Sequence, residues 1–285
     1  MTKLNDYLIT EGRGKKMDKD DAWGWIWENC QKLMKWMGTG SRDFDGRFIS
    51  RSVGGYEREG ISYVFIDPKK YSKPRVSRNT MNYYTLMMDG ESEWKKFPKR
   101  SESIICLTDG YDYGSNEYVI FPKDGWRVGN TNERDLWGVA DKIDSQLSNL
   151  GDWPRAVNEI LNFDIDDEKK YIKYDKNLGM FKKRCKEFDE HIKDLSKKDQ
   201  YYFIRNKLGK NHGWNNMDKV FAEDYKGDLY KMFKSHINPS RLGLTLNKVG
   251  DNLPKETEIW TDSPCVMIQS FEWKTYRKQI LGSMK

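Results

Sequence analysis

The stretch "KETEIWTDSPCVMIQ" sets Glu256 and Glu258 one residue apart at the head of an apolar run. In an extended strand, residues two apart share a face, so both carboxylates would leave the same side of a sheet. Two acids so placed either face water at a strand end, as exposed Glu ordinarily does, or act together on a bound group. The choice between the two turns on whether distant parts of the chain supply complementary side chains.

Composition bounds the elements that would have to position them. A hydrophobic content of 37% over 285 residues is enough to bury a core, in one large domain or two small ones. Eleven Trp, 16 Tyr and 12 Phe supply large apolar side chains, while 33% charged residues give a well-solvated surface. No apolar run approaches the roughly 18 residues that a membrane span requires, so no membrane partner is expected. The net charge of +6, from 50 basic and 44 acidic residues, permits phosphate-rich partners without making them the defining feature. Cys30, Cys106, Cys185 and Cys265 lack pair spacing, which fits reduced, buried thiols in a cytosolic setting. His191, His212 and His236 complete no zinc pattern, so no metal is expected. Walker and Gly-x-Gly-x-x-Gly phosphate loops are absent as well.

Along the chain, Trp23, Ile26, Trp27, Cys30, Leu33, Met34 and Met37 keep helical spacing and predict one helix over 22–37, stopped by "GTGS". The polar stretch before it predicts no packed structure. Between about 47 and 129 the texture is β-rich, with "ISYVFID", "SIICLT" and "EYVIFP" as strands and a short helix in "NTMNYYTLMMDG", begun by Asn79 or Thr80. Residues 133–236 read as charged helices, and strand texture returns at "SRLGLTLNKV" and "TEIWTDSPCVMIQSF". The fold class expected is α+β.

In sequence order, "SKPRVSRNTMNYYTLMMD", "KRSESIICLTD", "EYVIFPKDGWRVG" and "ETEIW…PCVMI" resemble the mono-ADP-ribosyltransferases of the Arg-Ser-Glu class. The resemblance implies an early strand with an Arg, a second strand ending in a Ser-Thr-Ser-like triplet, and a late strand opened by Glu-x-Glu. Arg75 takes the first position, with Arg78 as a second candidate; Ser103 starts the second strand and Thr108 stands mid-triplet, where the chain reads Leu107, Thr108, Asp109. The implied architecture is a split antiparallel β-core over about 61–129 and 242–271, with N-terminal helices and a helical insertion over about 133–236. It forms a single domain spanning 12–285.

What the resemblance implies chemically is cleavage of the nicotinamide–ribose bond of NAD through an oxocarbenium-like centre, comparable to glycoside hydrolysis. Glu258 would stabilise that cation, a contribution on the order of 3 kcal/mol for one well-placed group, and Glu256 would act as general base on the acceptor. Arg75 would hold the pyrophosphate or ribose. Thr108 would position Glu258 or the ribose, and Tyr111 offers a ring beside the triplet; Tyr83 and Tyr84 read rather as packing residues. Each has a plainer alternative: a surface ion pair for Arg75, a packed strand residue for Thr108. The acceptor would be a host protein or nucleic acid, and water as acceptor would make the chain an NAD glycohydrolase.

The N-terminal "LITEGRG" follows a short amphipathic segment and resembles the cleavage signal of prohead proteases in T-even-like phages. It implies a leader over residues 1–11, cut between Glu11 and Gly12, and a protein carried in the virion interior and delivered to the host cytoplasm. A different class of function is also consistent with the charge: a non-enzymatic internal virion protein that binds DNA or a host defence factor. Oligomeric state is not legible.

Overall fold

A computed structural model of the chain describes residues 14–38, 47–52, 61–70, 83–109, 117–136, 139, 174–208 and 224–282. Among them are seven helices and one nine-stranded antiparallel sheet, an α+β composition. The chain divides into two compact units, one formed by Met1–Arg75, Lys96–Arg134 and Thr245–Lys285, the other by Val76–Lys95 and Asp135–Leu244.

The first unit holds the whole sheet, whose order is β1-β3-β9-β5-β2-β4-β8-β6-β7. The strands are β1 (Gly14–Lys16), β2 (Ile49–Ser52), β3 (Tyr63–Ile66), β4 (Ile104–Thr108), β5 (Glu117–Pro122), β6 (Arg127–Asn130), β7 (Thr245–Lys248), β8 (Glu258–Thr261) and β9 (Cys265–Gln269). Short β2 links two four-strand halves, pairing with β5 through Ser50↔Val119 and with β4 through Ile49↔Thr108. Burial in β4 alternates, with Ile104, Cys106 and Thr108 turned inward, while β8 is buried at all four positions. A strand buried on both faces needs cover on both.

One part of that cover is the pair of helices α1 (Lys19–Asn29) and α2 (Gln31–Gly38), whose Ile26, Leu33, Met34 and Met37 join Ile49, Val119, Phe121, Val266 and Ile268 in one core. The single helix predicted over 22–37 is thus two. Asp124, in the β5–β6 turn, explains the break: its carboxylate accepts the N–H groups of Lys32 at 2.6 Å and Leu33 at 2.9 Å, while its own N–H donates to Asn29 O at 2.8 Å. The turn ends one helix and caps the start of the next. The polar stretch ahead of α1 also departs from expectation, since Gly14–Lys16 forms edge strand β1 on β3. Its backbone is satisfied by the ladder although its side chains bury little.

In the second unit, α3 (Tyr83–Gly90) and α6 (Leu229–His236) pack on α4 (Tyr174–Lys193), which is followed by α5 (Lys197–Leu208). Phe181 stacks on Phe233 with centroids 5.8 Å apart and meets Tyr230 edge-on at 5.7 Å. Beside these rings Glu91 is buried, yet it accepts from Lys182 Nζ at 2.6 Å, Lys234 Nζ at 2.7 Å and Tyr230 Oη at 2.6 Å. Burial alone would raise its pKa, but these three donors outweigh it and hold the carboxyl down at about 2.

All four cysteines are free and buried, and burial pushes the thiols of Cys30, Cys185 and Cys265 well above their ordinary range. They serve as apolar filling rather than nucleophiles. Among the described residues no helix is long and apolar enough to cross a membrane.

Candidate functional site

The antiparallel register of β4 and β8 sets Leu107 opposite Glu258, so the C-terminal end of one strand lies beside the N-terminal end of the other. Thr108, fully buried, ties the segment leading into β8 to this junction. Its hydroxyl donates to Pro254 O at 2.7 Å and accepts the Thr257 N–H at 3.1 Å, and its own N–H donates to Thr257 O at 3.1 Å. The backbone of Glu258 is fixed from the other side, its N–H donating to Glu133 O at 2.8 Å and its C=O accepting from Thr131 N at 3.0 Å. A strand start held at every backbone group does not fray, and its first side chain is correspondingly fixed.

That side chain is buried and meets a guanidinium: Arg100 Nη1 lies 2.8 Å from Glu258 Oε1. Glu258 and Trp260 are two apart on β8 and share a face. The Arg100 guanidinium spans both, its carbon 4.9 Å from the Trp260 ring centroid. Trp260 forms a rigid floor beneath it, with Nε1 donating to Pro98 O at 2.9 Å and the ring against Phe97 at 5.9 Å. Gly129 on β6 permits this packing, because a Cβ there would stand 2.3 Å from two atoms of the indole. Arg100 sits in the 3-10 turn Arg100–Glu102, just ahead of β4. Ser103 closes that turn, its N–H donating to Arg100 O at 3.3 Å and its hydroxyl to Lys99 O at 2.6 Å.

The residues singled out by sequence are distributed unevenly around this junction. Thr108 and Glu258 are brought together. Ser103 is at the opposite end of β4 from Thr108, five residues or roughly 16 Å away at about 3.3 Å per residue, and it supports Arg100 rather than the Thr108 end. Glu256 does not extend β8 as the strand reading required. It is exposed in a bend at φ +51°, and the strand begins only at Glu258, so the two acids do not share a face by strand alternation. Arg75, Arg78, Tyr111, Glu11 and Gly12, with the helix-start residues Asn79 and Thr80, lie outside the described residues. Arg100 was visible in "KRSESIICLTD", but no local pattern separates it from its basic neighbours; only its reach across the sheet does.

One step past Thr108 stands Asp109, left-handed like Glu256, at φ +50°. Non-glycine residues held there carry strain and gather at functional sites. Asp109 Oδ1 accepts the Phe48 N–H at 2.9 Å, while Oδ2 is buried with no hydrogen-bond partner among the described residues. Burial pushes this carboxyl above its ordinary value, against the pull of the Phe48 N–H and the Lys255 and Arg47 charges. The junction therefore carries three acids in three states: Glu258 enclosed and ion-paired, Asp109 half-buried and under-satisfied, Glu256 in water. No group of three or more His, Cys, Asp or Glu suited to a metal ion occurs among the described residues. Such a junction can stabilise a cation through Glu258 and take a proton through an outer carboxylate.

Comparison with family models, with curated proteins and with solved structures gives no match for this chain.

Proposed function

We propose that this protein transfers ADP-ribose from NAD to a host macromolecule, a protein side chain before a nucleic acid, on an ADP-ribosyltransferase-like core. The observation that carries the reading is the β4–β8 junction, where the Thr108 end of one strand adjoins the Glu258 start of the other. These are two of the three elements that the resemblance requires. A guanidinium also meets the late acid, but it belongs to Arg100; Arg75 keeps the role of holding the NAD pyrophosphate.

In the proposed reaction the nicotinamide nitrogen leaves with the electron pair of its bond to ribose C1′. Glu258, positioned by its ion pair with Arg100, stabilises the cation that develops on the sugar. The acceptor nucleophile then bonds to C1′ and gives its proton to Glu256, whose exposed bend suits a group that must meet a large partner. Delivery inside a virion, after removal of residues 1–11 between Glu11 and Gly12, belongs to the same proposal. The N-terminal mass of protein recovered from particles tests it.

A second reading has an observation of its own. Glu258 is buried and ion-paired, as a purely architectural salt bridge would be, in a non-enzymatic virion protein that binds DNA or a host factor. Incubating host lysate with labelled NAD separates the two. Transfer of label with nicotinamide release, lost in Glu258→Gln while the fold persists, supports the enzyme. Equal labelling by Glu258→Gln, or salt-sensitive DNA binding with no NAD turnover, overturns it. Free ADP-ribose as sole product would make the chain an NAD glycohydrolase.

A further inference from the structure

The helical unit carries a concave surface that has no part in the reading above. A cleft of about 530 Å³ opens between the C-terminal half of α4, the start of α5 and the Lys226–Gly227 turn ahead of α6. Its volume falls among small-molecule sites, which run from about 300 to 1,000 Å³. Lys186, Lys193, Lys197 and Lys226 converge on it.

Lysines on a charged helix ordinarily find a carboxylate one turn away, as Lys183 does with Glu187 at 3.7 Å. In the cleft only Lys186 does so, with Glu190 at 3.7 Å. Among the described residues Lys193, Lys197 and Lys226 form no ion pair. The remaining acid in the wall, Asp189, is engaged by the backbone, its Oδ1 accepting the Leu229 N–H at 3.1 Å. Burial pushes its pKa up to about 7, aided by the Asp228 and Glu190 charges and opposed by the Leu229 N–H. Near neutral pH it is therefore a weak counter-charge. Lys226 is strained in this turn, left-handed at φ +53°, while Gly227 takes φ +76° freely. Asp228 anchors the turn by accepting the Lys231 N–H at 2.8 Å as the cap of α6. Among the described residues that line the cleft none is aromatic, and their charge is what would hold a ligand.

We infer that this cleft binds a compact polyphosphate anion, inorganic pyrophosphate or the diphosphate end of a nucleotide, through Lys193, Lys197 and Lys226. Three unpaired ammonium groups around one hollow cost mutual repulsion that such an anion removes.

The test is calorimetric titration of the full chain with inorganic pyrophosphate, at low salt and at about 0.2 M salt. Saturable one-to-one binding that weakens with salt is expected. The double variant Lys193→Gln/Lys226→Gln should bind at least roughly tenfold more weakly, the size of one charge contact in a wet cleft, and Asp189→Asn should bind more tightly. The lysines are exposed, so the variants keep the wild-type circular dichroism. Adenosine diphosphate binding with affinity like that of pyrophosphate supports the assignment. Absence of saturation, undiminished affinity in the double variant, binding that requires the nucleoside, or binding of single-stranded oligonucleotide alone each overturns it.

Discussion

Replacing Arg100 by Leu tests the electrostatic construction of the β4–β8 junction. The guanidinium and carboxylate side chains are 2% and 10% exposed and 2.8 Å apart, so neither is solvated well enough to stand alone. Removing one member of a buried pair costs about 3–5 kcal/mol, because the other charge stays buried after its ion pair is lost. Against a typical domain stability of about 5–15 kcal/mol this is a large fraction. With a urea dependence of about 2 kcal/mol per molar, a loss of about 4 kcal/mol lowers the unfolding midpoint by about 2 M. Leu deletes the charge together with the guanidinium's contact on Trp260, so the double variant separates the loss owed to Glu258 from the loss owed to that contact. Adding Glu258→Leu removes the stranded carboxylate and should restore most of the stability. Urea unfolding followed by circular dichroism on the four proteins of this cycle measures both quantities. An Arg100→Leu protein within about 1 kcal/mol of wild type, or a double variant that loses the sum of the singles, would refute the argument that each charge holds the other in place.

Gly129→Ala should destabilise by about 1–3 kcal/mol, since its Cβ would stand 2.3 Å from the fixed Trp260 indole; thermal unfolding against a Gly24→Ala control, where a Cβ meets nothing within 4 Å, isolates the clash. Thr108→Val deletes the hydroxyl that serves Thr257 N–H and Pro254 O and should cost about 1–3 kcal/mol, whereas Thr108→Ser should stay close to wild type in the same assay. Glu91, whose pKa falls from 4.5 to about 2 on folding, contributes stability above about pH 4.5 that is lost as pH falls through about 2. Glu91→Gln should therefore be less stable than wild type at pH 7, and the gap should close between those pH values in unfolding measurements made across the range.

Much of the secondary structure was legible because it is written in short-range pattern. "SIICLT", "EYVIFP" and "PCVMIQ" became β4, β5 and β9, and the charged run from Tyr174 became α4. Periodicity within a few residues carries that information. Edge strand β1 and the four-residue β2 escaped notice because neither has apolar alternation; each exists through the partner it pairs with. Within the candidate site, the positions of Glu258 and Thr108 were readable, while the bend that turns Glu256 out of the strand was not.

By itself the sequence determined that this chain folds as α+β, that an acid opens a late buried strand, and that a hydroxyl closes an earlier one. Which groups meet across the fold was decided only by tertiary structure. Arg100 reaches Glu258 across 158 positions, and Asp124 splits a helical pattern from 91 and 92 positions away. The physical reason is the same in both cases. A charge or a cap acts on whatever lies within a few ångströms, and separation along the chain says nothing of that distance until the sheet has closed.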